Sequence, residues 1–230
     1  MSAPGPSKAV LMTAGLLGVL GALLVGVAEF SLHYTPSHEY HEDYRFFLGT
    51  PAWRLTLGHF LAIFSVPLYF VGYWHVCQRL RPAAAWLRRL FFGAGVYAFS
   101  IGGVWIGSRV YLALLIQAEL RSTGATQAEL ARLLEEASFY NEQSVLALRI
   151  AILLVSGLFV YLVATGKTSY PRWVALLNPI VLVLGSFALY FAAPAIGGYV
   201  MPIAMNVAHL IFFGVSTWLC WRTMEDSHPA

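Results

Sequence analysis

Charged residues are scarce in this sequence. Asp, Glu, Lys and Arg make up 11% of the 230 residues, whereas 59% are hydrophobic. A water-soluble domain carries roughly a quarter of its residues as charged side chains, so this composition excludes a soluble fold and indicates an integral membrane protein. The formal net charge is only +3. Such a small excess forms no large basic surface, and we therefore expect no nucleic-acid partner.

Several common chemical motifs are also absent. The chain has two cysteines, Cys77 and Cys220, and they form no Cys-x-x-Cys pair. It has no Gly-rich phosphate-binding loop and no Gly-x-Ser-x-Gly nucleophile motif. We therefore expect no cofactor. Both cysteines lie near the predicted cytoplasmic ends of apolar segments, where the environment is reducing and a disulfide is not expected.

Long apolar runs supply the main structural prediction. A helix needs about 20 apolar residues to cross a bilayer, whereas a transmembrane strand needs only about 9 to 11. The first run is also too long for the apolar part of a cleaved signal peptide. We predict an all-α fold, a six-helix transmembrane bundle in a single domain over residues 1–230. The predicted spans are residues 9–30, 53–76, 90–118, 144–165, 173–192 and 201–221.

The positive residues predict how the bundle is oriented. Cytoplasmic loops of membrane proteins are enriched in Lys and Arg. The positive residues near the ends of the predicted spans lie in two connections and at both termini, which we therefore place in the cytoplasm. They are Lys8, Arg79, Arg81, Arg88, Arg89, Lys167, Arg172 and Arg222. The connection over residues 31–52, the one over 119–143 and the uncharged turn over 194–200 then face outward.

The long outer connection has a helical pattern of its own. Thr126 and Glu129 have the spacing of a capping box, and an amphipathic pattern follows them. We predict a short helix over about residues 127–138. Two roles remain open for it: it rests on the lipid headgroups, or it forms a lid over a cavity.

Polar side chains within the predicted spans mark the candidate site. An arginine at the middle of a membrane costs about 2.5–3.5 kcal/mol, so Arg109 and Arg149 are expected to face the bundle interior and find partners. One interpretation is two internal salt bridges with Glu29 and Glu142. However, the polar groups outnumber what helix association needs, which favours an outward-facing polar cavity. The other polar candidates are His59, Asn141, Asn206 and His209, and the candidate aromatic wall includes Phe64, Trp105 and Tyr111.

A histidine-rich segment raises the question of a metal site. His38 and His41 lie among carboxylates and are three residues apart. This spacing differs from the His-Glu-x-x-His pattern of zinc proteases, and Pro36 precedes it in a region of turn-forming residues. A solvated loop that faces the lipid headgroups explains the segment better. We therefore predict no metal site.

Three motifs in the C-terminal half resemble a known family. They are Tyr170-Pro171-Arg172-Trp173, Asn178-Pro179 and Pro194-Ala195-Ile196-Gly197-Gly198. They are similar to segments of an uncharacterised family of bacterial integral membrane proteins, a domain of unknown function. The resemblance extends from the first to the sixth predicted helix. It implies a multi-pass protein of the bacterial inner (plasma) membrane and assigns no reaction.

A weaker resemblance is architectural. The size and composition are similar to those of membrane-bound terpene cyclases, although no sequence motif is shared. That analogy implies acid/base chemistry on an isoprenoid or another amphipathic lipid, by carboxylic-acid protonation in an aromatic-lined cavity. Glu29 or Glu142 is then the acid, and His59 or His209 the base, with the remaining candidates binding substrate. A lipid or small-molecule transporter or binding protein is the alternative, and a structural subunit of a larger complex is a third.

Overall fold

A computed structural model describes residues 5–36 and 44–225 of the chain. These residues form seven α-helices, three short 3-10 helices and no β-strand. The fold class predicted from the sequence, an all-α bundle of apolar helices, is therefore confirmed. The α-helices are α1 (Lys8–His33), α2 (Ala52–Arg79), α3 (Ala85–Arg121), α4 (Gly124–Ala164), α5 (Pro179–Ala192), α6 (Pro194–Val200) and α7 (Ala204–Glu225).

Five helical segments in the described part are long and apolar enough to cross a membrane. Four are α1 to α4, and the fifth is the stretch Pro194–Arg222, which contains α6 and most of α7. The helix α5 is also apolar, but it has only 14 residues. At 1.5 Å per residue this is about 21 Å, less than the hydrocarbon thickness of about 30 Å. The predicted span 173–192 thus begins as the 3-10 helix Arg172–Leu177 and becomes α-helical only at Pro179.

One boundary prediction was wrong. The predicted interfacial helix over 127–138 and the predicted span over 144–165 form one continuous helix, α4, of 41 residues. The residues between them, Phe139 to Gln143, include no Gly or Pro, so nothing in that stretch interrupts the backbone hydrogen bonds. The helix begins at Gly124, two residues before the predicted cap Thr126. Its length of about 62 Å exceeds the membrane thickness, and one end therefore extends well beyond the hydrocarbon.

The predicted turn over residues 194–200 is also helical. This segment is α6, which has Pro194 in its first turn and is followed by the 3-10 helix Met201–Ile203. Proline is compatible with a first helical turn because the N–H that it lacks has no partner there in any case. The chain therefore passes from α5 to α7 through two short helices.

The packing of α1 fixes the arrangement of its neighbours. Helix α1 lies along both α2 and α7, and α3 packs against α2 and α4. Helices α1 and α2 approach each other closely at two glycines. A Cβ added to Gly18 lies 2.6 Å from the Cα of Gly72, so neither position has room for a side chain. Beside this contact, Tyr69, Tyr73 and Phe213 form part of a fully buried aromatic core.

Hydrogen bonds group the connections at the two ends of the bundle. At one end the backbone N–H of Ser169 donates to the carbonyl of Arg79, and its hydroxyl donates to the carbonyl of Arg81. At the opposite end the Gln117 amide donates to the carbonyls of Phe47 and Thr50, each at 2.9 Å. Connections predicted to share the cytoplasmic side thus lie together, and the connection over 31–52 meets the far end of α3.

Candidate functional site

A cavity of about 1000 Å³ lies at the predicted outer end of the bundle. Helices α1, α3 and α4 contribute to its walls, together with Met201 and Pro202 of the 3-10 helix Met201–Ile203. Five residues selected from the sequence line it: Glu29, Trp105, Arg109, Glu142 and Arg149. The part of α4 that was predicted as a separate surface helix also lines it, through residues that include Leu134 and Phe139.

Glu29 is the buried carboxyl group of this cavity. Glu29 is 7% exposed and lies in the last two turns of α1. The side-chain amide of Asn206 on α7 donates a hydrogen bond to Oε2 of Glu29. The Tyr69 hydroxyl on α2 in turn donates to Oδ1 of Asn206 at 2.6 Å. Three helices thus hold one carboxyl group in place, and its second oxygen, Oε1, lies 3.7 Å from Nδ1 of His33.

Arg109 meets the same cavity from α3. Its guanidinium carbon lies 4.7 Å from the centre of the Tyr44 ring and 4.6 Å from that of Trp105, which are cation–π distances. Its Nε and Nη1 atoms are buried and have no hydrogen-bond partner. The alternative interpretation, two internal salt bridges of Arg109 and Arg149 with Glu29 and Glu142, is wrong, because no ion pair joins these four residues. Aromatic rings take the place of a carboxylate because they face the guanidinium directly.

Glu142 and Arg149 lie two helical turns apart on α4 and share its cavity face, as their spacing predicts. Both residues are exposed. The Tyr44 hydroxyl donates a hydrogen bond to Oε1 of Glu142. Tyr44 therefore links the two cavity walls, with its ring against Arg109 and its hydroxyl on Glu142.

His209 lies deeper in the bundle than the cavity. It is fully buried, and its Nδ1 lies 2.8 Å from the carbonyl of Met205 while its Nε2 lies 2.8 Å from the Tyr73 hydroxyl. Because a carbonyl oxygen only accepts, Nδ1 carries the hydrogen and Nε2 accepts from Tyr73. Both ring nitrogens are thus occupied within the protein, and His209 does not line the cavity.

Five other predicted site residues do not line the cavity, and one of them is Asn206, whose amide contacts Glu29. His59 donates from Nδ1 to the carbonyl of Gly107 at 3.1 Å and joins α2 to α3. Asn141 is buried and donates to the Ser108 hydroxyl at 2.5 Å, joining α4 to α3. Phe64 and Tyr111 lie on the outer surface of the bundle, where they are 74% and 61% exposed. The structure therefore brings together the acids and arginines of the prediction, but not its bases.

Some residues at or beside the cavity were not selected from the sequence, and three of them have contacts that matter for the site. Tyr44 lines the cavity, Tyr69 supports Asn206, and His33 lies one helical turn beyond Glu29 on the same face of α1. The spacing of four between Glu29 and His33 is a signal that predicts such a pair. The positions of Tyr44 and Tyr69 depend on contacts between distant parts of the chain, which the sequence pattern does not show.

A second buried polar network lies at the predicted cytoplasmic end. Nδ1 of His75 donates to the carbonyl of Leu11, and Nε2 of His75 lies 2.8 Å from the Ser216 hydroxyl. That hydroxyl lies 2.5 Å from the hydroxyl of Tyr170. Burial raises the pKa of Tyr170, so its phenol stays protonated and can donate. All of these groups have partners, and this network is structural.

Comparison with known families assigns the chain to one of them. The family of unknown function DUF6796 matches residues 8–223. The chain belongs to this family. The match includes all of α1 to α6 and nearly all of α7, so the resemblance to an uncharacterised family is confirmed. No curated protein and no solved structure matches the chain.

The histidine-rich segment of this DUF6796 member lies outside the residues that the structure describes. His38, Glu39, His41, Glu42 and Asp43 lie outside the described residues. Within residues 5–36 and 44–225, no three His, Cys, Asp or Glu side chains come together as metal ligands. The prediction about metal binding at His38 and His41 therefore stays a prediction.

Proposed function

We propose that the protein is a membrane-embedded enzyme that transfers protons to and from an amphipathic lipid, with Glu29 as the catalytic acid. The observation that carries this proposal is a buried carboxyl group that lines a cavity of about 1000 Å³ and is held by Asn206. This volume is at the upper end of the range of about 300–1,000 Å³ that is typical of small-molecule sites.

The arrangement around Glu29 suits proton transfer. Asn206 occupies Oε2, which leaves Oε1 as the oxygen that exchanges a proton with a bound molecule. The ring of His33 lies 3.7 Å from Oε1 and is the nearest side chain that can pass a proton on. A positioned acid of this kind contributes about 10²–10⁴-fold to a rate. Glu29 and His33 are therefore the acid and base pair of the proposal, in place of His59 and His209.

The reaction class that fits is the isomerisation or cyclisation of an isoprenoid chain. The Glu29 carboxyl adds its proton to an alkene carbon, and the neighbouring carbon becomes a cation. The cation then loses a proton to a base, either directly or after attack by a second double bond closes a ring. The proton is returned, so the step requires no oxidant or reductant. The rings of Tyr44, Phe46, Trp105 and Phe139 line the same cavity and can stabilise a cation.

We also propose where in the cell the protein lies. The five apolar segments support a membrane protein, and the distribution of Lys and Arg supports cytoplasmic termini with an outward-facing cavity. We place the protein in the inner membrane of a bacterial cell, with membrane lipids as partners. A substrate dissolved in the outer leaflet would then reach the cavity without leaving the lipid phase.

Deuterium incorporation tests the proposal. The purified protein in lipid nanodiscs is incubated in D₂O with geranylgeranyl phosphate or geranylgeraniol. The deuterium content of the extracted lipid is then measured by mass spectrometry. The wild-type protein should add deuterium at carbon, and Glu29→Gln should reduce the rate about 100-fold or more.

Glu142→Gln is the matched control, since it removes a second carboxyl group from the same cavity. It should keep most of the activity, because Glu142 is exposed at the rim. Equal rates for the wild type and Glu29→Gln would overturn the role of Glu29. Accumulation of unchanged lipid in proteoliposomes, with no deuterium uptake, would favour the transporter alternative.

A further inference from the structure

Two residues that line the cavity, Arg109 and Trp105, carry hydrogen-bond donors that the protein does not use. Nε and Nη1 of Arg109 and Nε1 of Trp105 are buried and have no acceptor within the described part of the chain. A buried polar group without a partner costs about 1–3 kcal/mol, and more when it is charged. Two cavity-lining residues with three such donors between them therefore favour an acceptor from outside the protein.

The two arginines that line the cavity have no acidic partner among the described residues to neutralise their charge. Arg149 lines the same cavity as Arg109, and both side chains are positively charged. Within residues 5–36 and 44–225, neither guanidinium forms an ion pair with an acid within 4 Å. The ion pairs among described residues join Arg132 to Glu129 and Glu136, and Nδ1 of His33 lies 3.7 Å from Oε1 of Glu29. Like charges that face one cavity are unfavourable unless an anion lies between them.

The carboxyl groups near the arginines have other partners. Glu29 accepts from Asn206, and Glu142 accepts from Tyr44. Two further acids, Glu119 and Glu135, also line the cavity but make no ion pair with either arginine. The arginine donors thus remain available although acids are present. Tyr44 and Trp105 lie against the Arg109 guanidinium and restrict its orientation, so it is held ready for a planar or tetrahedral anion.

We infer that Arg109 and Arg149, with the indole N–H of Trp105, bind an anionic group of the substrate, either a phosphate or a carboxylate. Guanidinium groups match both anions through paired N–H donors. The inference rests on the proposed function and names the substrate class more closely, as an amphipathic lipid with an anionic head. The bound anion also offsets the positive charge that would otherwise oppose a cation near Glu29.

Binding measurements test the inference without any turnover. The protein in nanodiscs is titrated calorimetrically with dodecyl phosphate, dodecanol or inorganic phosphate, and empty nanodiscs provide the blank for partition into lipid. Dodecyl phosphate should bind about tenfold or more tightly than dodecanol, because charge-assisted hydrogen bonds are strong. Equal binding of the two would overturn the inference. Equal binding of inorganic and dodecyl phosphate would assign the site to a soluble anion and overturn the lipid source.

Variants assign the site to residues. Arg149→Gln and Arg109→Gln should each weaken dodecyl phosphate binding about tenfold or more, and Arg149→Lys should retain part of it. Arg132→Gln removes a positive charge from the same helix outside the cavity and should leave binding unchanged. Arg149 is exposed, so its variant remains informative if Arg109→Gln fails to fold. Wild-type affinity in Arg149→Gln would overturn the assignment.

Failure of this inference is distinguishable from failure of the proposed function. Glu29→Gln should bind dodecyl phosphate as the wild type does while losing deuterium incorporation. Loss of turnover in Glu29→Gln with no preference for the phosphate over dodecanol would overturn the anion site and leave the acid in place. Normal binding of dodecyl phosphate with full turnover in Glu29→Gln would overturn the role of Glu29 as the acid and leave the anion site in place.

Discussion

Asn206 on α7 donates a hydrogen bond to the carboxyl group of Glu29 on α1, across 177 positions of sequence. The same amide accepts a hydrogen bond from the Tyr69 hydroxyl on α2. An amide is suited to this position because it carries a donor and an acceptor on one planar group. One side chain therefore satisfies a buried carboxyl group and a buried phenol, and it joins three helices.

We expect Asn206→Ala to destabilise the bundle by about 1–3 kcal/mol, because it leaves two buried polar groups unsatisfied. Tyr69→Phe removes only one hydrogen bond and should cost about 1 kcal/mol or less. Unfolding by SDS in mixed micelles measures both. Tyr111→Phe is the control, since Tyr111 is 61% exposed and should tolerate the change. If the destabilisation of the double variant equals the sum of the two single effects, the shared network is contradicted.

Tyr44 has two separable contacts, and its variants should separate them. Tyr44→Phe loses the hydrogen bond to Glu142 but keeps the ring against Arg109, whereas Tyr44→Leu loses both. Tyr44→Leu should therefore be less stable than Tyr44→Phe by about 0.5–2 kcal/mol, the range of a cation–π contact. The same unfolding measurement applies. Tyr140→Leu on the exposed surface of α4 is the control, and equal stability of the two Tyr44 variants would argue against the ring contact.

Gly72→Ala should disturb the packing of α1 on α2. A Cβ at this position lies 2.9 Å from the Cα of Gly18, so the two helix backbones must separate. Overpacking of this kind costs about 1–3 kcal/mol. Gly157→Ala on α4 is a matched control, because nothing lies within 4 Å of its Cβ and the change should stay within about 1 kcal/mol of the wild type. Similar stabilities of the two variants would contradict the close approach.

Cysteine labelling tests the orientation. Thr123 and Lys167 are exposed and flank the two ends of α4, whereas the native Cys77 and Cys220 are buried. In intact cells, Thr123→Cys should react with a membrane-impermeant maleimide and Lys167→Cys should react only after lysis. The wild-type protein gives the background. Reaction of Lys167→Cys alone in intact cells would invert the orientation inferred from the positive residues.

The sequence indicated some of the residues that line the cavity, but not all of their contacts. Glu142 and Arg149 were placed on one face by their spacing, and both line the cavity. A buried charge requires a partner, and salt bridges with carboxylates were one interpretation for Arg109. The partners that the structure shows are Tyr44 and Trp105. Periodicity specifies the face of a helix, but it does not specify which neighbour lies opposite that face.

By itself the sequence determined the class of fold and indicated a membrane protein. Runs of about 20 apolar residues are stable as helices in lipid, since every backbone group must find its partner within its own segment. Only the tertiary structure decided that α4 is one continuous helix, that Glu29 meets Asn206, and that His59 and His209 lie away from the cavity. These features depend on contacts between distant segments, and such contacts are set by how the helices pack.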